Sequence, residues 1–166
     1  MINEKRPKIV TLLSGGIDSS IMALLYKKGG FDQYPLFIDY GQRATEREWI
    51  SCKKICSYLD LRKPKKISIS SISKLHQNLL TNKSSVEKSP FFPFRNLILV
   101  SIGALYAYGI DFDTVAIGII GRGAMPFPDC SRDFIFSISK SLSLSVNSKT
   151  NVLSPFGIGV PQTPQL

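Results

Sequence analysis

Apolar residues in this chain follow two alternating rhythms. Short runs such as Ile9-Val10-Thr11-Leu12-Leu13 have the length and composition of strands, and the stretches between them repeat their apolar positions every three or four residues, the period of a helix. The pattern predicts strands at Lys8–Leu13, Tyr34–Asp39, Lys65–Ile69, Thr114–Gly118 and Asn151–Ser154. It predicts helices near Ser19–Lys28, Ala44–Leu59, Arg95–Tyr108 and Asp133–Leu144. Strand alternating with helix implies an α/β fold: a doubly wound, mainly parallel five-stranded sheet with helices on both faces. Ligands of such sheets bind beyond the carboxyl ends of the strands, where the strand order reverses. The segment Ser70–Pro93 is first polar and then ends in Ser89-Pro90-Phe91-Phe92-Pro93, which fits either a lid or an ordinary surface insertion.

Composition adds bounds. The 166 residues, 43% of them hydrophobic, suffice for one sizeable core, predicted to span 1–155, followed by an irregular tail at 156–166. No stretch reaches the ~18 to 20 consecutive apolar residues of a membrane span, and the start leads into a strand rather than a signal sequence, so a cytoplasmic enzyme is expected. Cys52, Cys56 and Cys130 are odd in number and form no CxxC pair, which indicates neither a disulfide framework nor a complete zinc site. Cys52 and Cys56, four apart on a predicted helix, read as packing residues, and the only histidine, His76, reads as a surface residue. Twenty-one Lys and Arg against 12 Asp and Glu give a net charge of +9, a field that attracts ATP, RNA or an acidic protein. The one dense basic run, Arg62-Lys63-Pro64-Lys65-Lys66, reads as a solvated connection between helix and strand, with nucleic-acid contact as the alternative.

The most informative stretch is Ser14-Gly15-Gly16-Ile17-Asp18-Ser19-Ser20, set between the first strand and the first helix. Two glycines let backbone N–H groups approach an anion, the serines add hydroxyl donors, and the helix points its positive end at the same spot. The spacing fits neither G-x-G-x-x-G nor G-x-x-x-x-G-K-[ST]. Three further motifs stand at expected strand ends or helix starts. In Asp39-Tyr40-Gly41-Gln42-Arg43, Arg43 can reach an anion and Gln42 can both donate and accept. Arg95 and Asn96 of Phe94-Arg95-Asn96-Leu97-Ile98 can hold a carboxylate, a phosphate or a base edge, or else serve as a surface charge and a cap. In Pro128-Asp129-Cys130, Asp129 can cap the following helix or accept from a ring N–H of a substrate.

The turn resembles the S-G-G-x-D-S loop of the PP-loop ATP pyrophosphatases. The ordered set of four motifs, over residues 8 to 155, is similar to the QueC-type 7-cyano-7-deazaguanine synthases. The resemblance implies a Rossmann-like PP-loop fold and a ligase that uses ATP and Mg²⁺ to turn 7-carboxy-7-deazaguanine into a nitrile. The carboxylate is adenylated with release of pyrophosphate, ammonia gives the amide, and a second activation removes the remaining oxygen. By the match, Leu13, Ser14, Gly15, Gly16, Ile17, Asp18, Ser19, Ser20, Ile21, Met22 and Ala23 line ATP. Asp18, Arg43 and Arg95 serve the chemistry, and Tyr40, Gln42, Asn96 and Asp129 face the deazapurine.

The chain also departs from that pattern. The four C-terminal cysteines that hold structural zinc in the family are not among these residues, so no structural zinc site is expected within them; by the match, Asp18 helps place the metal that accompanies ATP or orients the loop. Gly121-Arg122-Gly123 stands where the family carries an acid after the fourth strand, and Ser131 stands in place of an arginine, with Arg132 one place later. Two alternatives therefore stay open: a divergent relative that adenylates another substrate on protein or RNA, antiviral defence included, and a non-catalytic nucleotide-binding subunit. A homodimer and a partner subunit are both compatible with the sequence.

Overall fold

The structure is a computed structural model that describes residues 6–76, 80–82, 91–119 and 127–156. Five strands, β1 (Lys8–Leu12), β2 (Asp32–Asp39), β3 (Lys65–Ser68), β4 (Thr114–Ile117) and β5 (Asn151–Leu153), form one sheet in the order β3-β2-β1-β4-β5, with every pairing parallel. The helices are α1 (Ile17–Lys28), α2 (Thr45–Tyr58), α3 (Arg95–Gly109) and α4 (Arg132–Val146). Each predicted strand and helix is present, with ends shifted by at most a few residues. The predicted tail lies outside the described residues beyond Phe156, as does the Gly121–Gly123 departure. Much of Ser70–Pro93 also lies outside them; within its described part, Ser70–Lys74 is a 3₁₀ turn, with Ser73 lying where a Cβ on Gly41 would stand.

Packing follows from the helical period. The buried positions of α1, Ser19, Met22, Ala23 and Tyr26, recur at i, i+3, i+4 and i+7, so one stripe faces the sheet. α1 and α2 cover one face, where Ile9, Met22 and Tyr26 form one apolar cluster and Leu13, Ala23, Phe37, Cys52 and Cys56 another. α3 and α4 cover the other, around Val10, Leu12, Val100, Val115 and Ile135. The central strands are thus buried on both sides, which explains their unbroken apolar runs. At the sheet edge, the expected basic run leads into β3, which carries its last two lysines, Lys65 and Lys66. Arg62 makes a paired contact with Asp32 at 3.1 and 3.0 Å and lies over the Tyr34 ring, while Lys66 meets Glu46 at 3.4 Å. Strand β3 is entered through a solvated connection whose charges are partly engaged by the protein itself, and lysines on an edge strand discourage strand addition.

Helix α4 begins at Ser131, whose Oγ accepts the Phe134 N–H at 3.1 Å, and ends at Asn147 in the left-handed conformation. Ser131 is therefore the N-cap of this helix. Among the described residues no helix is long and apolar enough to cross a membrane.

Candidate functional site

From β1 the chain winds outward through β2 to β3, then returns to place β4 on the other side of β1. The strand order reverses between β1 and β4, and the Ser14–Ser20 turn leaves β1 at that point. Gly118 closes the other side: a Cβ there would stand 2.9 Å from the Ser19 nitrogen and 3.0 Å from the Asp18 carbonyl carbon, so the end of β4 rests directly on the start of α1.

Within the turn, Ser14 Oγ accepts the Gly16 N–H at 3.2 Å and lies 3.1 Å from Ser19 Oγ. The Ser19 and Ser20 hydroxyls both donate to the Gly16 carbonyl, at 3.0 and 2.8 Å. No side chain caps α1, which leaves its amino end facing the turn with its partial positive charge. The two glycines differ in kind. Gly15 has φ +78° and is pressed against α2, a Cβ there falling 2.5 Å from the Cys52 nitrogen. Gly16 has φ −73°, and a Cβ there would meet only Ser14 Oγ, at 3.3 Å. The fold itself requires glycine at position 15. At position 16 the space is open, which suits close approach of an anion to the backbone.

A cavity of about 270 Å³ opens beside this turn, lined by Leu12, Leu13, Ser14, Ser19, Leu36 and Ile38 below and by Tyr40, Gln42, Glu48, Arg95, Asn96 and Leu99 around it. Two larger hollows, about 700 and 630 Å³, lie elsewhere, lined by Arg6, Lys8 and Lys149 in one and by Lys27, Asp32 and Arg62 in the other. They lie toward the amino ends of the strands, and Arg62 and Lys27 there are paired with Asp32 and Asp60. Of these three hollows among the described residues, the smaller one combines strand carboxyl ends, a helix amino end and converging polar groups, the combination that marks ligand sites in such sheets.

The Asp39–Arg43 segment is held from within. Asp39 Oδ1 accepts the Gly41 N–H at 2.9 Å, and its Oδ2 accepts from Ser68 at 3.2 Å. Gln42 is buried: its Oε1 accepts the Tyr40 N–H at 2.9 Å and its Nε2 donates to Glu48 Oε2 at 3.0 Å. Tyr40 packs edge-on against Phe92, with centroids 6.0 Å apart. Burial pushes its hydroxyl above the usual tyrosine range, while the charge of Arg95 and a hydrogen bond to it pull it back. His76, expected on the surface, is half-buried and packs edge-on against Phe92 at 5.6 Å.

The structure thus gathers Leu13, Ser14, Ser19, Tyr40, Gln42, Arg95 and Asn96 around one cavity. Gly15, Gly16 and Ser20 complete the adjoining turn, and Asp18 stands exposed in the first turn of α1. Other expectations need correction. The side chains of Met22 and Ala23 are wholly buried in the core; freeing Met22 would forfeit about 1.5–3 kcal/mol, so neither presents a side chain to a ligand. Ile17 and Ile21 project into solvent, 78% and 42% exposed. Arg43 is exposed and does not line the cavity, although its N–H donates to the carbonyl of Leu80, which does. Asp129 is buried behind Asn96 and caps α3 rather than α4. Its Oδ2 accepts the Asn96 N–H at 3.3 Å, and its carbonyl accepts Asn96 Nδ2 at 3.1 Å.

Glu48 and Ser51 were missed. Ser51 Oγ donates to the Gly15 carbonyl at 2.8 Å. The signal existed: positions 48, 52 and 56 fall at i, i+4 and i+8, so a helix that buries both cysteines turns Glu48 the same way, with Ser51 on its flank. Cys52 and Cys56 pack against Leu13 and Ala23 as expected, and a hydrogen bond to Cys56, together with burial, keeps the Cys52 thiol protonated.

Relatives and solved structures bear on this arrangement. A 7-cyano-7-deazaguanine synthase of Campylobacter curvus (strain 525.92) is 31% identical over 154 residues, which cover 87% of this chain and 69% of that protein. The enzyme so named from Methanocaldococcus jannaschii is 30% identical over 163 residues, 89% of this chain and 70% of that one. Among solved structures, the U34-tRNA thiolase NcsA from Methanococcus maripaludis superposes with a TM-score of 0.55 at 18% identity, covering 96% of this chain and 55% of that one. A predicted subunit of tRNA methyltransferase from Methanocaldococcus jannaschii gives the same TM-score of 0.55 and 18% identity over 94% of this chain and 70% of that one. At such identity these likenesses speak for the shared Rossmann-like fold alone. The family described as queuosine biosynthesis protein QueC matches residues 8–159, a span that takes in the turn, the cavity and all five strands, and the chain belongs to that family.

Proposed function

We propose that this protein converts 7-carboxy-7-deazaguanine to 7-cyano-7-deazaguanine, using ATP to activate the carboxylate and ammonia as the nitrogen source. The observation that carries the reading is the meeting, at the strand-order reversal, of the Ser14–Ser20 turn with Arg95, Tyr40 and Gln42 around one cavity. The names of the relatives supply the product, 7-cyano-7-deazaguanine; the carboxylate precursor is what the resemblance to the nitrile synthases implies.

A carboxylate is a poor electrophile. Its oxygen attacks the α-phosphorus of ATP, pyrophosphate leaves, and an acyl-adenylate forms. Ammonia then adds to the acyl carbon and AMP departs with the carboxylate oxygen, leaving the amide and a proton. Attack of the amide oxygen on the α-phosphorus of a second ATP expels pyrophosphate and, with loss of one proton, gives an O-adenylated imidate, from which departure of AMP and the second proton leaves the nitrile. The protein's part is positioning and charge stabilisation. The open side of Gly16 and the uncapped start of α1 receive the leaving pyrophosphate, Arg95 offsets charge on the phosphate under attack, and Tyr40, Gln42 and Asn96 orient the heterocycle. Among the described residues no three His, Cys, Asp or Glu side chains form a metal cage. Mg²⁺ usually takes one or two protein carboxylates beside substrate phosphates, and Asp18, exposed in the first turn of α1 beside the phosphate turn, is the residue that would hold it. When bound, the ion offsets triphosphate charge.

The test is release of AMP and pyrophosphate from ATP and Mg²⁺, with 7-carboxy-7-deazaguanine and ammonium present or omitted, and mass spectrometry of the product. Acid-dependent release with a nitrile product, lost in Asp18→Ala, is expected. ATP binding without any stimulation by the acid would overturn the substrate assignment.

A further inference from the structure

We infer that Ser51 is a positioning residue for the phosphate turn, an inference that rests on the nucleotide-binding reading above. Ser51 sits in α2, 36 residues along the chain from the Gly15 carbonyl to which its hydroxyl donates at 2.8 Å. This is a tertiary contact, and it acts on the peptide unit that joins the two glycines. No peptide bond among the described residues is cis, so the Gly15 carbonyl and the Gly16 N–H point in opposite directions. Holding the carbonyl against α2 therefore turns the Gly16 N–H away from α2, to the side where Ser14 Oγ meets it at 3.2 Å and where the Cβ position of Gly16 is otherwise open.

A Gly-Gly peptide has little steric preference of its own and can flip, which would point a carbonyl oxygen at the anion instead of an N–H. The Ser51 hydroxyl favours one of the two orientations. The contact of the Gly15 Cα with the Ser51–Cys52 backbone keeps the turn close enough for that hydrogen bond, since a Cβ on Gly15 would lie 2.5 to 2.8 Å from those atoms. The same helix carries Glu48, which holds Gln42, so one face of α2 sets both loops that border the cavity.

The experiment compares full-length wild type, Ser51→Ala and Ser51→Thr in binding of Mg²⁺ with a non-hydrolysable ATP analogue, alongside amide hydrogen exchange. The expected result is a Kd raised roughly tenfold in Ser51→Ala, the size that loss of one net hydrogen bond gives, with affinity restored in Ser51→Thr. Exchange of the Gly16 and Ile17 amides should quicken while β4 and β5 stay protected. Equal affinity in wild type and Ser51→Ala would overturn the tether and leave the nucleotide reading standing. Absence of binding by wild type would sink the nucleotide reading and the tether with it. Loss of protection throughout the sheet in Ser51→Ala would refute a positioning role in favour of a fold-wide one.

Discussion

Adjacent glycines in a turn are usually treated as equivalent, and Gly15 and Gly16 should behave oppositely when each is replaced by alanine. At Gly15 the backbone has φ +78°, a conformation that costs an L-residue about 1–2 kcal/mol. The added Cβ would also lie 2.5 Å from the Cys52 nitrogen and 2.8 Å from the Ser51 carbonyl carbon, backbone atoms that cannot swing aside. Overpacking of that kind costs about 1–3 kcal/mol, so Gly15→Ala should lose roughly 2–5 kcal/mol in all. In a chain of this size each kcal/mol moves Tm by about 2–4 °C, which puts the expected fall near 10 °C. At Gly16, φ is −73° and the added Cβ would meet only Ser14 Oγ, at 3.3 Å. Alanine there reduces the freedom of the unfolded chain by about 0.4–1 kcal/mol but is a poorer N-cap by a similar amount, so stability should stay near that of wild type. The methyl would instead occupy the side from which the phosphates approach. Differential scanning calorimetry and nucleotide titration on both variants separate the effects: Gly15→Ala loses stability, and Gly16→Ala melts normally but binds the ATP analogue at least tenfold more weakly. Wild-type affinity in a normally folded Gly16→Ala would refute the placement of the phosphates, and an unchanged Tm in Gly15→Ala would refute the packing argument.

Three other outcomes are expected. Asp129→Ala leaves the buried Asn96 N–H without its acceptor and should lose about 1–3 kcal/mol in urea denaturation, with Asp129→Asn losing less; an unchanged midpoint would contradict the capping role. Ser131→Ala removes the cap of α4 and should lose about 1 kcal/mol while nucleotide affinity holds, so weakened binding at normal stability would show that the cap reaches the site. Arg95→Gln withdraws the positive charge that favours the Tyr40 phenolate, so spectrophotometric titration should show one tyrosine moving to higher pH than in wild type, whereas a shift to lower pH would reverse the assignment.

Periodicity and punctuation carried most of the architecture. A buried parallel strand must be apolar on both faces, and the helices covering it repeat their apolar residues every three or four positions, so the alternation is written locally and was readable in runs such as Ile9–Leu13 and in the spacing Ser19, Met22, Ala23, Tyr26. The Ser14–Ser20 turn was equally legible, because glycines and hydroxyls between a strand and a helix are a local requirement of anion binding. Contacts made across the fold were not legible. That Gly15 is held by Ser51, 36 residues away, and that Asp129 caps α3, 33 residues back in the chain, depends on which elements the sheet order brings together. The same holds for Met22 and Ala23, placed by adjacency in a binding segment but turned by the helix into the core. The chain by itself determined which segments are strands, helices and the phosphate turn, since those depend on neighbouring residues and on period. Only the tertiary structure decided which side chains meet at the reversal between β1 and β4, because that is fixed by strand order and helix rotation, and no local pattern encodes either.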